Sequence, residues 1–301
     1  MTAPTLTRDS ADVRFATPSD VSVVIVSWNT RDLLRQCLES LFTGGLDGLN
    51  ADVWVVDNAS GDGSAAMVQR DFEQVRLLPM GENAGFARAN NAALRQAAGR
   101  YFLLLNSDTI VPPGSLAPLV AALDTCPDAA VASPLLLNRD GTPQFCWSRF
   151  PGFRSELRGE LDRSQSPYPL VAYAKSATRA QMQPFAVDWV GGACFLVRAS
   201  DTETVGLLDE GYFMYAEETD WCARFKQAGK VTLLVPAVAV MHLGGQSSKA
   251  VPVQTRQRMY RSNVRLFRHL YGSVGGLFPS ALSLARYAAF RVRHALKGSG
   301  R

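Results

Sequence analysis

Four clusters of oxygen- and nitrogen-bearing side chains stand out against apolar runs. Asn106-Ser107-Asp108 ends the run Tyr101–Leu105, and Asp57-Asn58 ends the run Val53–Val56. Glu217, Glu218 and Asp220 open a helical stretch, and His242 precedes Gly244-Gly245-Gln246-Ser247-Ser248. Carboxylates at two strand ends can grip polar groups of a ligand, or hold a divalent cation, which needs oxygen donors. A carboxylate at the start of a helix can take a proton from a substrate hydroxyl. A histidine beside a Gly-Gly-x-Ser-Ser loop can ligate a metal while the loop offers N–H groups to phosphate. Each cluster also has a plainer explanation. Asn, Ser and Asp are turn residues. Acids in a first helical turn complement the helix dipole, and Asp220 can pair with Arg224 at i+4. A single histidine is often structural.

The elements around these clusters give the acids a common address. VSVVIVSW (Val21–Trp28) is a β-branched run that predicts a buried strand, and further strands are expected at Val53–Val56, VRLLPM and YFLLL. Between them, RDLLRQCLESLF places Leu33, Leu34, Cys37, Leu38 and Leu41 at helical spacing, SAAMVQRDF reads as a short helix, and GFARANNAALRQAAG reads as a small-residue helix. Alternating strands and helices predict an α/β fold, a mostly parallel sheet with helices on both faces. Its strands would all end on one edge, so Asp57 and Asp108 should meet there, where open α/β sheets bind ligands. From Asn138 to Val187 the pattern dissolves into Pro, Gly, Ser and aromatic residues. WVGGACFLVR then predicts a strand, YAEETDWCARFKQAG a helix, and VTLLVPAVAVMHLGG a strand interrupted by Pro236.

The chain of 301 residues is 47% hydrophobic, ample for a core. Its five cysteines form no CxxC pair, so neither a zinc site nor a disulfide framework is indicated and a cytoplasmic protein is the expectation. Neither a signal pattern nor a bilayer-length apolar stretch is apparent. Of 31 basic and 27 acidic residues, ten basic and no acidic ones fall from Val251 onward, leaving 21 against 27 and a net charge of −6 in the first 250. A mildly acidic body therefore carries a basic tail. Residues 1–20 read as a flexible lead-in, 21–250 as the α/β body, and 251–301 as two helices around Gly272–Gly276. In the last of these, Leu277, Phe278, Leu282, Ala285, Ala289, Val292 and Leu296 share one face, with Arg286, Arg293 and Lys297 on the other and Tyr287 and Phe290 blurring the pattern. Such a helix either packs on the body or lies on an anionic membrane surface, here the inner face of the membrane.

In order along the chain, VSVVIVSWN, VVDNASGDGS, NAGFARANNAAL, LLLNSDTIVPPG, the Asp140–Pro151 stretch, WVGGACFLVR, LDEGYFMYAEETDWCAR and HLGGQSS resemble the family 2 glycosyltransferases, and within them the rhamnosyltransferase-like members. The resemblance implies a GT-A fold, a nucleotide-sugar donor (dTDP- or UDP-linked), Mg²⁺ or Mn²⁺ as cofactor, inversion at the anomeric carbon, and a glycan or lipid-linked acceptor in cell-surface polysaccharide or glycolipid synthesis. By position it implies donor-binding roles for Ser27, Asn29, Asp57, Asn83, Asn91, Asn106, Ser107 and Asp108. It implies metal ligation by Asp108 and His242, and a catalytic base at Glu218 or Glu217. Trp189, Gly191, Gly192 and Asp220 fall on the acceptor side. Three departures matter: Asn106 replaces the first acid of the family's DxD, Glu217-Glu218 replaces its Glu-Asp pair, and Arg88-Ala89 stand where Gly is common.

Three rival readings are available. Gly61-Asp62-Gly63-Ser64-Ala65-Ala66 matches GxGxxA after a strand, but four residues separate the strand from the first glycine. A sugar nucleotidyltransferase would need a Gly-rich, basic triphosphate loop after the first strand, which SWNTRDLL lacks. A non-catalytic protein binding nucleotide-sugar or membrane would bind without turnover. No nucleic-acid partner is expected.

Overall fold

The structure, a computed structural model, describes residues 19–158, 161–244 and 252–298. Its first half alternates as the sequence predicts: β1 (Val21–Ser27), α1 (Arg31–Ser40), β2 (Ala51–Asp57), α2 (Ser64–Asp71), β3 (Arg76–Pro79), α3 (Phe86–Leu94) and β4 (Tyr101–Asn106). β3, β2, β1 and β4 lie side by side and parallel. Because side chains alternate across a strand, one apolar run feeds two cores. Val23, Ile25, Val53, Val55, Leu103 and Leu105 pack with α1 and α2, whereas Val24, Trp54, Val56, Phe102 and Leu104 pack with α3.

Beyond Asn106 come a two-residue strand β5 (Thr109–Ile110), α4 (Ala117–Thr125) and β6 (Ala129–Leu137). The last two lie in residues 111–137, a stretch left without elements above. Pro134 interrupts the strand pattern of β6, but it sits just past Ala132, where β6 stops pairing with its neighbour β11 (Cys194–Arg198), so its missing N–H breaks no ladder on that side. β11 runs antiparallel between β4 and β6, and β12 (Val231–His242) runs parallel to β6. Pro236 does not end β12. The register jumps between Val235 and Ala239, so residues 236–238 bulge and the strand resumes to His242.

The irregular stretch from Asn138 holds β7 (Pro143–Gln144), β8 (Trp147–Ser148), α5 (Phe153–Arg158), α6 (Ser176–Arg179), β9 (Phe185–Val187) and β10 (Trp189–Val190). Aromatic packing orders it: Trp147 lies 5.2 Å from Phe145 and 5.0 Å from Tyr173, and Tyr168 lies 6.0 Å from Phe185. Such contacts carry no period for a sequence pattern to reveal. After α7 (Ala199–Val205), α8 (Glu217–Gln227) covers one sheet face with Trp221 and Phe225. The tail forms α9 (Pro252–Gly275) and α10 (Leu277–Gly298). α9 packs on α8: Leu266 joins Tyr212 and Ala216 in a small core, and Arg265 pairs with Asp209 at 2.7 Å. α10 packs on α9 through a Tyr260–Tyr287 stack at 5.9 Å and on α5 through Arg286–Glu156 at 3.2 Å.

Candidate active site

Strands β1, β2, β4, β6 and β12 run parallel, directly or through β11, so their carboxyl ends share one edge. There β4 ends at Asn106, and Ser107-Asp108 turn the chain into β5, which pairs Thr109 with His242 and Ile110 with Met241. This turn carries the acid from β4 across to β12, and the Leu243 N–H donates to the Asp108 carbonyl at 2.8 Å to lock it. Ser107 Oγ lies 2.9 Å from Thr30 Oγ1, which lies 3.0 Å from Ser27 Oγ, tying the turn to β1. The turn and the acid site are therefore the same feature.

Asp108 Oδ1 lies 3.3 Å from His242 Nε2, and Asn106 Nδ2 lies 3.3 Å from the same nitrogen. The other ring nitrogen, Nδ1, lies 3.0 Å from Gln144 Oε1. Gln144 cannot be turned around, because its Nε2 donates to the His242 carbonyl at 2.6 Å and to Asn138 Oδ1 at 2.8 Å. Nδ1–H therefore donates to Gln144, which leaves Nε2 as the nitrogen facing the carboxylate. The Asn106 amide can donate to Nε2, but the Nε2 lone pair and the carboxylate oxygen at this separation still repel, unless a proton or a metal cation sits between them. This donor set fits a divalent cation. Among the described residues no third His, Cys, Asp or Glu joins it, which suits an ion that takes its remaining ligands from phosphates and water.

The second constellation begins with backbone strain. Tyr215 (φ 73°) and Ala216 (φ 69°) are consecutive non-glycine residues in the left-handed region, a conformation held against cost and concentrated at functional sites. They aim Glu217 and Glu218 into the cavity from the start of α8. Glu217 is 4% exposed and its Oε2 has no hydrogen-bond partner among the described residues. Burial, and then the charge of Glu218, push the Glu217 carboxyl well above its usual range. Burial pushes Glu218 up to about 7. Asp220, in contrast, is turned away into a closed network with Arg224 (2.9 Å), Tyr212 (3.1 Å) and His269 (3.3 Å).

One cavity of about 400 Å³ is lined by Asn83, Asn106, Ser107, Asp108, His242, Glu217 and Glu218, with Gly191 and Gly192 in its wall. A Cβ on Gly191 would lie 3.1 Å from Cys146 Cβ, and one on Gly192 would lie 3.7 Å from Glu218 Cβ, so both keep the wall thin beside the acids. The remaining sequence candidates lie outside the lining. Ser27 is buried behind Thr30. Asn29 accepts the Gly61 N–H at 2.8 Å in an exposed groove. Asn91 donates to Leu208 O at 2.8 Å and to Glu210 at 3.1 Å, holding the loop that precedes α8. Trp189 donates to Arg149 O at 3.0 Å. Asp57 is 5% exposed and accepts the Ser60 N–H at 3.2 Å, while its Oδ1 is buried without a partner among the described residues. Its neighbour Asn58 lines the cavity instead and grips the Asn83–Gly85 loop. Gly85 (φ 83°) lets that loop reach the 213–216 segment: Phe86 N–H donates to Phe213 O at 2.7 Å, and a Cβ on Gly85 would lie 2.3 Å from that oxygen.

At the GxGxxA match the Asp62 carboxylate itself takes the place an anion would fill at the start of α2, accepting the Ser64 N–H (3.0 Å) and the Arg31 N–H (2.8 Å). The Gly-Gly-x-Ser-Ser loop after His242 lies, from Gly245 on, outside the described residues. Gln144, Trp28, Tyr215, Thr255 and Arg258 line the cavity without having been singled out. Gln144 lies within the Asp140–Pro151 motif, but nothing in the sequence indicates that it meets a histidine 98 residues away.

Residues 22–182 match Glycosyl transferase family 2. The N-acetylglucosaminyl-diphospho-decaprenol L-rhamnosyltransferase of Mycobacterium tuberculosis is 31% identical over 214 residues, 66% of this chain and 69% of that protein. The dTDP-rhamnosyl transferase RfbF of Shigella flexneri is 24% identical over 252 residues, 80% of this chain and 77% of its own. The mannosyltransferase of Pyrobaculum calidifontis, solved with GDP-Man and Mn²⁺, superposes with a TM-score of 0.56 at 18% identity, covering 95% of this chain and 80% of that one. A GT-A fold, the ordered motifs and more than half the chain matched lead to one conclusion: this protein belongs to glycosyltransferase family 2, an inverting family, and within it is similar to the rhamnosyltransferases.

Proposed function

We propose that the protein transfers a sugar of the rhamnose class from a dTDP- or UDP-linked donor to a hydroxyl of a lipid-linked glycan acceptor, in cell-surface polysaccharide or glycolipid synthesis. The observation that carries this reading is the opening of Asp108–His242 and Glu218 into one cavity. Glu218 is the general base. As the acceptor oxygen bonds to the anomeric carbon, its proton passes to the Glu218 carboxylate and the bond from that carbon to the diphosphate oxygen breaks. Burial, and then the charge of Glu218, both disfavour ionisation of Glu217, so of the pair Glu218 is the carboxylate better placed to take the proton. Asp108 and His242 Nε2 would hold Mg²⁺ or Mn²⁺, with Gln144 fixing the ring. When bound, that cation supplies positive charge against the departing diphosphate. Asn58, Asn83 and Asn106 offer amide groups to the donor along the same wall.

The acceptor side of the reading draws support from the tail. Among the described residues no helix is long and apolar enough to cross a membrane. The side of α10 bearing Arg286, Tyr287 and Phe290 turns toward α9 and α5, while Leu277 (64% exposed), Leu284 (47%) and Val292 (60%) point outward with the exposed Arg291 on the same side. An exposed apolar row among cations suits the interface of an anionic membrane. Calorimetry with dTDP and UDP, with and without Mn²⁺, tests the core of the proposal. D108N is expected to lose metal-enhanced binding while melting like the wild type. Undiminished metal dependence in D108N would remove Asp108 from the metal site.

A further inference from the structure

Helix α9 sends one cation into the active-site cavity. Arg258 lines the same space as Asp108, His242 and Glu218, and its guanidinium carbon lies 4.1 Å above the Phe213 ring. Stacking uses the flat face of a guanidinium and leaves its N–H donors, which lie in the plane, to find acceptors. Arg258 is half-buried, yet among the described residues it makes no ion pair, unlike Arg265, which holds Asp209 from the same helix. A cation withdrawn from water without a counter-charge is costly, and an anionic ligand relieves that cost. Its placement is also rigid. Ser262 donates to Met214 O at 2.8 Å, and Leu266 packs with Tyr212 and Ala216, so α9 is fixed to the segment that carries Glu217 and Glu218.

We propose that Arg258 binds the diphosphate of the nucleotide-sugar donor directly and neutralises the charge that develops on it as the sugar leaves. This rests on the reading of the cavity as the donor site. A guanidinium presents paired N–H donors that match two phosphate oxygens, so the ligand is a nucleoside diphosphate in preference to a nucleoside or monophosphate. The basic tail then belongs to the chemistry as well as to any surface the protein meets.

The test uses the full chain with Mn²⁺ present. Wild type, R258Q and R258K are titrated with dTDP, dTMP and thymidine, and with farnesyl diphosphate as a diphosphate lacking a nucleoside. The expectation is a loss of about 10- to 100-fold in dTDP affinity for R258Q, the scale of a charged hydrogen-bonded contact. Thymidine affinity and melting temperature should be unchanged, and R258K should fall between. Transfer assays should show kcat reduced as well as KM raised, because the contact strengthens as charge develops. Wild-type dTDP affinity in R258Q overturns the proposal. A loss confined to farnesyl diphosphate overturns it in favour of an acceptor-side role. Wild-type protein that binds neither dTDP nor UDP removes the donor-site reading itself, and this inference with it.

Discussion

Replacing Glu217 and Glu218 one at a time by Gln separates two acids that are neighbours in sequence and to which the proposed mechanism gives different roles. Glu218 has its carboxyl pushed from 4.5 to about 7 by burial, so as general base it should work with a single ascending limb in kcat centred near pH 7. At pH 6 only about a tenth of the molecules carry the ionised base, and the rate should fall about tenfold for each further pH unit. A glutamate near its ordinary 4.5 would instead give a flat profile above about pH 5.5. E218Q should lose about 10²–10⁴-fold in transfer at pH 8 and keep donor affinity, since the base acts on the acceptor. E217Q should keep both the rate and the limb, because the upward shift of Glu218 comes from burial and not from its neighbour. Its stability should change in a fixed direction. An acid whose folded-state pKa lies above its unfolded value favours folding fully below the unfolded value of 4.5, and that contribution is lost as pH rises toward the folded value. Gln undergoes no such loss, so E217Q should melt higher than wild type at pH 8, with the advantage shrinking toward pH 5. The assays are initial rates against pH with a fixed donor, and thermal melts of the same proteins. An inactive E217Q beside an active E218Q would refute the assignment, as would a flat wild-type profile.

Two further perturbations bear on the frame of the site. Gly85→Ala forces a Cβ to 2.3 Å from the Phe213 carbonyl oxygen at φ 83°, so it should cost at least about 2 kcal/mol in denaturant unfolding and weaken nucleotide binding; a wild-type midpoint would show that the loop moves freely from the 213–216 segment. Changing Leu277, Leu284 and Val292 together to Ser should abolish salt-sensitive binding to liposomes containing anionic lipid while leaving the melting temperature intact, because these side chains are already exposed. Equal liposome binding by the triple variant would remove α10 as a membrane contact, and a lower melting temperature would show that the row packs on the body.

The local pattern of the chain was enough to establish the alternation of strands and helices up to Asn106, since a doubly buried strand needs an unbroken apolar run and its covering helix needs a 3.6-residue stripe. The same pattern placed Asp57 and Asp108 at strand ends, and parallel strands put their ends on one edge. Whether those acids face one ligand was not legible there. Asp57 turns into the Asn58–Ser60 turn, whereas Asp108 is carried across by β5 to meet His242, because pairing of Thr109 with His242 is a long-range choice of register. Pro236 interrupts a local pattern that the sheet overrides, as residues 236–238 bulge and pairing resumes. The acids of α8 form a run in sequence, but their surroundings decide among them: Asp220 gains Arg224, Tyr212 and His269 and becomes structural, while among the described residues Glu217 and Glu218 form no ion pair and have raised pKa values. Gln144 lay inside a motif and Arg258 inside the basic tail, but nothing local marked either side chain as part of the site. A hydrogen bond to an imidazole and a guanidinium stacked over a ring depend on segments about 100 and 45 residues away in the chain, and only the packed molecule brings them to the same cavity.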